Sequence, residues 1–318
     1  MKAMILIALL AGASPALAET IYVSNERGHS ISVIDGATLK TVAEWPVGNR
    51  PRGIILSRDG TRLYVCASDE HSVQVIDRKD GRILADLPAG DDPEQLAMAP
   101  DGATLFVANE RDSLATAIDI AGRAVAYQVP VGEEPEGMAV SPDGAFAVST
   151  SETDSQLDWI DLAQRKVVAV TDVDARPRHV EFTADGRELW ASSEIGGTVQ
   201  IVDTKSHAVT AKIGFAVPRV SPDKILPVAI RFTPDGARAL VALGRANHVA
   251  VIDVKTRQVL AYIPVGMRVW HLAISADGTR AFTANGVSND VSVIDLATLK
   301  VTATIPVGKA PWGVVIAP

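Results

Sequence analysis

Ile54-Ile55-Leu56-Ser57-Arg58-Asp59-Gly60-Thr61-Arg62-Leu63-Tyr64-Val65-Cys66 is a pair of short apolar runs joined by an Asp-Gly turn, and Val73-Gln74-Val75-Ile76-Asp77 follows after a polar loop. The continuous apolar run Ile54–Leu56 suits a strand covered on both faces. Asp-Gly is a strong hairpin signal, which makes Leu63–Val65 a second strand and Val73–Ile76 a third. A further turn over Asp77–Gly81 leads to a fourth, Ile83–Leu87. No segment carries a helical period.

The pattern then repeats. Asp-Gly recurs at Asp59, Asp101, Asp143, Asp185, Asp235 and Asp277, spaced by 42, 42, 42, 50 and 42 residues. The aspartate that closes each third strand recurs at Asp35, Asp77, Asp119, Asp161, Asp203, Asp253 and Asp295. Seven landmarks mean seven units, and four strands per unit of about 40–45 residues is the arithmetic of a β-propeller. The expected fold is therefore all-β: a seven-bladed β-propeller with four antiparallel strands per blade, over residues 19–318. Ile21-Tyr22-Val23 matches a second strand, whereas Pro311-Trp312-Gly313-Val314-Val315-Ile316 matches a first. The C-terminal strand is thus expected to complete the N-terminal blade, and closure removes sheet edges that would template aggregation.

Residues 1–18 stand apart. Lys2, the apolar run Met4–Leu10 and Ala16-Leu17-Ala18 read as a cleavable signal peptide, with an apolar stretch too short to anchor in a bilayer. A periplasmic destination and a mature chain from Glu19 are expected. The chain has one cysteine, Cys66, so it can form no internal disulfide, and it has no CxxC or CxxCH for a thiol-rich metal site or a covalent haem. The net charge of −8 (−9 without Lys2) and the lack of a basic run argue against nucleic acid and anionic membranes as partners. A monomer is expected.

Tyr22-Val23-Ser24-Asn25, Phe106-Val107-Ala108-Asn109 and Phe282-Thr283-Ala284-Asn285, with the flanking S-x-D-G and V-x-V-I-D stretches, resemble the signature of YVTN-family β-propeller repeats. In size, signal peptide and repeat count the chain is most similar to exported seven-repeat YVTN proteins associated with PQQ-dependent alcohol catabolism and a neighbouring transport operon. That resemblance implies an accessory role beside a PQQ-dependent system. PQQ dehydrogenases themselves resemble larger eight-bladed propellers, which this chain does not match.

Lining up the seven starts of the first strand gives three candidate rings around the central channel. One runs Arg50, Asp92, Glu134, Arg176, Leu226, Arg268, Ala310. The next runs Arg52, Glu94, Glu136, Arg178, Val228, Trp270, Trp312. The third runs Gly53, Gln95, Gly137, His179, Ala229, His271, Gly313. Two blades are doubly basic, the two between them doubly acidic, and the far side aromatic. The plain interpretation is exposed inter-blade ion pairs, Arg52 with Glu94 and Arg178 with Glu136, each contributing ~0–1 kcal/mol. The sharper one is a funnel for a planar anion such as a PQQ-like quinone, with arginine forks for carboxylates and tryptophan faces for the ring. His29, His71, His179 and His271 are candidate metal or haem ligands, since haem-containing nitrite reductases of related fold hold haem through propeller histidines. No HxxxH or HExxH supports them, and His179 and His271 lie two blades apart. His207 and His248 read as surface residues. Asn25, Asn109, Asn285 and the Asp-Gly turns read as structural, and the prolines before the ring positions as devices that fix the strand start. The eight-residue excess over the period falls near Phe215–Leu226, a harmless loop or a functional one.

No nucleophile elbow, P-loop or metalloprotease signature occurs. On that ground the expected function is a non-catalytic periplasmic binding or accessory protein, with a protein partner or a small anionic ligand. A lactonase-like hydrolase and a haem- or metal-bearing redox module are the alternatives.

Overall fold

The computed structural model describes residues 19–318, so the expected signal peptide lies outside the described residues. Seven four-stranded antiparallel sheets stand in a ring. Blade 1 joins Pro311–Ala317, as its inner strand, to Thr20–Asn25, Ser30–Asp35 and Lys40–Pro46. Blades 2 to 7 each run from inner to outer strand in chain order, and their inner strands are Pro51–Leu56, Pro93–Met98, Pro135–Val140, Pro177–Phe182, Ile230–Phe232 and Val269–Ile274. Val23 pairs with Val314 and Tyr22 with Val315, so the two ends of the described chain close the ring as expected.

Apolar side chains from facing sheets form the core between blades. Tyr64, Val75 and Leu87 of blade 2 pack with Leu96, Leu105 and Ile118 of blade 3. Trp159 of blade 4 packs with Val180 and Leu189 of blade 5 and is fully buried. Burying each large side chain contributes about 1.5–3 kcal/mol. The Asp-Gly turns are structural. Asp59 Oδ1 accepts from Thr61 N at 3.0 Å and from Ser57 Oγ at 2.6 Å, and Gly60 sits at φ +67°. Asn109 Nδ2 likewise donates to Ala89 O at 3.1 Å and to Thr116 Oγ1 at 2.6 Å. Cys66 is fully buried, and burial pushes its thiol far above the ordinary range.

One expectation is corrected. His207 is not an ordinary surface residue: its ring stacks on Trp159 at 4.3 Å between centroids, because the third-to-fourth turn of blade 5 folds over the neighbouring blade. The insertion carries a short 3-10 turn, Pro222–Lys224, and buries Val217 and Ile225 in the core of blades 5 and 6.

The detail that shapes the channel is a β-bulge. Where Pro51 pairs with Ala67, the next register pair is Ile54 with Val65, which leaves Arg52 and Gly53 unpaired. The same shift occurs at Pro93/Leu96, Pro135/Met138 and Val269/Leu272, and a shift at Pro177/His179 leaves Arg178 alone unpaired. A bulge re-aims the side chains it contains, and here it turns the ring residues toward the axis. Gly53 is required at its place, since a Cβ would lie 2.6 Å from Glu94 O of the next blade.

Deleting residues 311–318 removes the inner strand of blade 1. Scanning calorimetry should then show loss of the single cooperative transition of the closed ring; a transition within a few degrees of the full chain's would show that the ring stands without it.

Candidate functional site

The ring carrying Asp-Gly turns is the lower face. The opposite, upper face holds a funnel of about 560 Å³, lined among others by Arg50, Arg52, Asp92, Glu110, Arg111 and Glu134. The bulges of blades 2 and 3 supply Arg52 and Glu94. In four blades the loop after the second strand adds an acid that sequence reasoning passed over: Glu26, Glu110, Glu152 and Glu194. Positions 26, 68, 110, 152 and 194 recur at the 42-residue period, glutamate at all but Ser68, and that period was the signal available.

These acids and the ring arginines form two linked clusters. In the first, Arg52 Nε and Nη2 donate to Glu26 Oε1 at 3.1 and 3.0 Å, while its Nη1 lies against Glu94 and 4.0 Å from Glu110. Arg50 Nη1 bridges Asp69 at 2.9 Å and Asp92 at 3.2 Å. In the second, Arg178 Nη1 meets Glu136 at 2.6 Å and Glu152 at 2.5 Å, Arg176 Nε donates to Glu152 at 2.6 Å, and Arg268 Nη2 to Glu194 at 2.7 Å. The expected pairs Arg52–Glu94 and Arg178–Glu136 do form, but they are not exposed. Glu94 is 0% and Glu136 1% exposed. Closure of the ring takes them out of water, so the exposed-pair magnitude does not apply; breaking a buried pair costs about 3–5 kcal/mol.

Burial changes the protonation. Glu94 is pushed up to about 7, first by desolvation and then by the charge of Glu110, against the pull of Arg52. Neither Glu94 oxygen finds hydrogen-bond geometry despite the adjacent guanidinium. Glu136 is raised well above the carboxylate range by desolvation, with Glu152 adding to it against Arg178. Burial would also raise Glu152, but its hydrogen bond to Glu136 and the charges of Arg178 and Arg176 outweigh it and hold Glu152 low. The second cluster thus couples one protonated carboxyl, Glu136, to one carboxylate, Glu152, and the titration belongs to the pair. The second cluster is closed over, with Arg178 at 5% and Glu152 at 3% exposure. The first is open: Glu110 lines the funnel above Glu94. One oxygen of each of Asp92, Glu94 and Glu110 lies within 4.8 Å of the others. Arg50, Arg52 and Arg111 stand among them and satisfy that charge, with Arg111 Nε 3.2 Å from Asp92.

Beneath the funnel the channel is crossed by a septum. Gln95 Nε2 donates to Arg178 O at 2.9 Å, which leaves Gln95 Oε1 to accept from His179 Nδ1 at 2.9 Å. His179 Nε2 then accepts from Arg231 Nη1 at 2.6 Å. His271 meets the His179 ring edge-on at 5.6 Å, and Trp312 lies over His271 at 4.2 Å. Two histidines from blades that are not adjacent therefore touch, because the channel is narrow. Burial, reinforced by Arg231, holds His179 below its ordinary value; burial and the neighbouring His179 and Arg231 hold His271 far below, so both are neutral.

The aromatic side is already occupied. Trp312 is 1% exposed, and the Arg268 guanidinium lies 3.9 Å over Trp270. A stacked quinone would have to compete with Arg268 for Trp270 and with His271 for Trp312. Haem fits no better at the septum: His179 has both nitrogens engaged, and His271 opens only on a space of about 30 Å³. His71 is exposed and held by Asp91 at 3.0 Å, and His29 Nδ1 accepts from Arg50 N at 3.3 Å.

No family model matches the chain, and no curated protein matches it. Solved structures do. Hydrazine synthase from Kuenenia stuttgartiensis superposes with a TM-score of 0.80 at 24% identity, covering 87% of this chain and 92% of that one. A protein from Bacteroides fragilis assigned as a 6-phosphogluconolactonase gives 0.81 at 17%, covering 96% and 100%. The dihydro-haem d1 dehydrogenase NirN, in complex with DHE, gives 0.66 at 19%, covering 94% and 66%. At these identities the likeness shows the fold, and the chain is a seven-bladed β-propeller. The neighbours also overturn the expectation of a non-catalytic binding or accessory protein. That expectation rested on missing catalytic motifs, and the same ring carries proteins named for enzymatic activities.

Because Glu94 titrates near 7 when folded and near 4.5 when unfolded, its proton favours the folded state at low pH, and that contribution is lost as pH rises through 7. Glu94→Gln does not titrate. Between pH 5 and pH 8 the wild type should therefore lose about 2–3 kcal/mol relative to the variant, read from urea unfolding at both pH values. A difference independent of pH would mean that Glu94 is ionised throughout.

Proposed function

We propose that the chain is a hydrolase of lactone or related cyclic ester substrates, acting in the upper funnel. The observation that carries this reading is Glu94, a buried carboxyl held near neutral pH beside Glu110, which faces the funnel. A general base works best with its pKa near the working pH, and burial next to a like charge is how a protein tunes a carboxyl there. A water in the funnel attacks the ester carbonyl, Glu110 takes its proton, and the pair shares it. The ring C–O bond then breaks, and the proton returns to the leaving oxygen, giving a hydroxy acid. Arg50, Arg52 and Arg111 supply positive charge for the oxyanion and for an anionic group of the substrate. The propeller named for a lactonase supports the reading by showing that this ring is compatible with such a role.

The YVTN-repeat assignment, with its PQQ-associated branch, and export to the periplasm belong to the same proposal. They rest on Tyr22–Asn25, Phe106–Asn109, Phe282–Asn285 and the pattern of residues 1–18. Edman sequencing of chain recovered from the periplasm should begin at Glu19; recovery from the cytoplasm with Met1 intact would refute export.

The test is hydrolysis of a panel of five- and six-membered lactones, with and without carboxylate or phosphate substituents, followed by proton release. Glu110→Gln and Glu94→Gln should each lower kcat by about 10²–10⁴, and Arg52→Gln should raise KM for anionic lactones more than for neutral ones. No turnover across the panel, or turnover unchanged in Glu110→Gln, would sink the proposal.

A further inference from the structure

The septum divides the channel, and below it lies a second compartment. A vestibule of about 340 Å³ opens on the lower face, walled by Leu96, Met98, Met138, Val140 and Phe182, with His179, Glu181 and Arg231 at its inner end. It shares Ile55, Gln95, Leu96 and Arg231 with a chamber of about 30 Å³ that ends at His271 and Trp312. His271 is 4% exposed, and its Nε2 is buried without a hydrogen-bond partner among the described residues. A buried polar atom left unpaired costs about 1–3 kcal/mol, and such groups in native proteins call for a partner.

Arg231 points to the same ligand chemistry. Its three bonds to protein, to His179 Nε2, Glu181 Oε2 and Ile230 O, all leave from Nη1. The Nε/Nη2 edge of the guanidinium makes no hydrogen bond to the described residues, on a side chain 32% exposed. That edge is the fork that takes a carboxylate through two parallel hydrogen bonds. Glu181 occupies the opposite corner and does not compete for it. Neutral His271 in its Nε2–H form is a further donor.

We propose that the lower vestibule is a ligand site for a small monocarboxylate with an apolar or aromatic body, its carboxylate on the Arg231 fork and within reach of His271 Nε2, its body against Met98, Met138 and Phe182. The site is independent of the upper funnel: the septum separates the two, and the proposal stands whether or not the funnel hydrolyses lactones.

Benzoate is the probe, titrated into the full chain by calorimetry and by tryptophan fluorescence, since Trp312 lies over His271. Saturable binding with a change in emission is expected. Arg231→Gln should weaken it by about ten-fold or more, and Met98→Trp, at a half-exposed wall of the vestibule and without removing a polar group, should abolish it. Glu110→Gln should leave it unchanged, and benzamide, which lacks the charge, should bind at least about ten-fold more weakly. If Arg231→Gln does not fold by circular dichroism, Met98→Trp decides. No benzoate binding up to about 10 mM, or binding that survives Met98→Trp, would overturn the proposal. So would binding that disappears in Arg50→Gln, which would move the anion to the funnel.

Discussion

Seven inner strands converge on one axis, and all but one begin with a bulge that turns their side chains inward. Everything else in the channel follows from having to place those side chains in one narrow, dry volume. An uninterrupted ladder would alternate its side chains between the two faces of each sheet. The bulge breaks that alternation locally and leaves two residues of the inner strand unpaired in five blades and one, Arg178, in blade 5. Gly53, Gly137 and Gly313 keep three blades thin, with the backbone of the next blade under 3 Å from where a Cβ would stand. The space so released is taken by Gln95, His179 and His271.

Crowding charged groups there has an electrostatic cost, and the molecule meets it by pairing and by protonation together. Taking an ion from water into a closed ring costs several kcal/mol even after relaxation. Arg178 recovers this with Glu136, Glu152 and Glu194 around it. Burial still disfavours a second charge beside Glu152 and beside Glu110, and this is relieved by keeping a proton on Glu136 and, near neutrality, on Glu94. The two clusters share this logic and differ in solvent access. The side chains of Glu26 and Glu110 are 17% and 27% exposed, those of Glu152 and Glu194 1% and 5%. Only the first cluster can exchange protons with a molecule in the funnel, so the second serves to hold blades 4, 5 and 7 together.

The fold was legible because each blade solves the same local problem with the same residues. Asp59, Asp143 and Asp277 each fold a turn on their own Oδ1, and a repeated chemical need leaves a repeated letter. Ring membership was legible for the same reason: Arg52, Glu94, Glu136, Arg178, Trp270 and Trp312 could be aligned by period alone. The environment of those residues was not. Whether Arg52–Glu94 is a wet surface pair or a buried one depends on how tightly the ring closes, and no local pattern encodes channel width. The contact between His179 and His271 depends on the same quantity. Glu26, Glu110, Glu152 and Glu194 were overlooked for a different reason: they follow the second strand, in loops whose acids usually face solvent, and only the bulged neighbours opposite draw them into the network. Glu181 and Arg231 sit mid-strand in an apolar context, where period identifies a strand but not a cross-channel partner.

The septum changes what the axis can be. An open channel would let water through and hold every carboxyl near its ordinary value. Gln95, His179, His271 and Trp312 instead close it with groups that are neutral or apolar, so the funnel above has a floor of low polarity directly under Glu94 and Glu136. Low polarity below and the Glu110 charge above act in the same direction on Glu94, since both disfavour its ionised form. Burial together with Arg231 keeps His179 neutral, and burial with the surrounding guanidinium and imidazole groups does the same for His271. The carboxyls of the upper face are shifted by the same first cause, burial, with neighbouring acids adding to it, so both sides of the septum owe their protonation states to how tightly the ring closes.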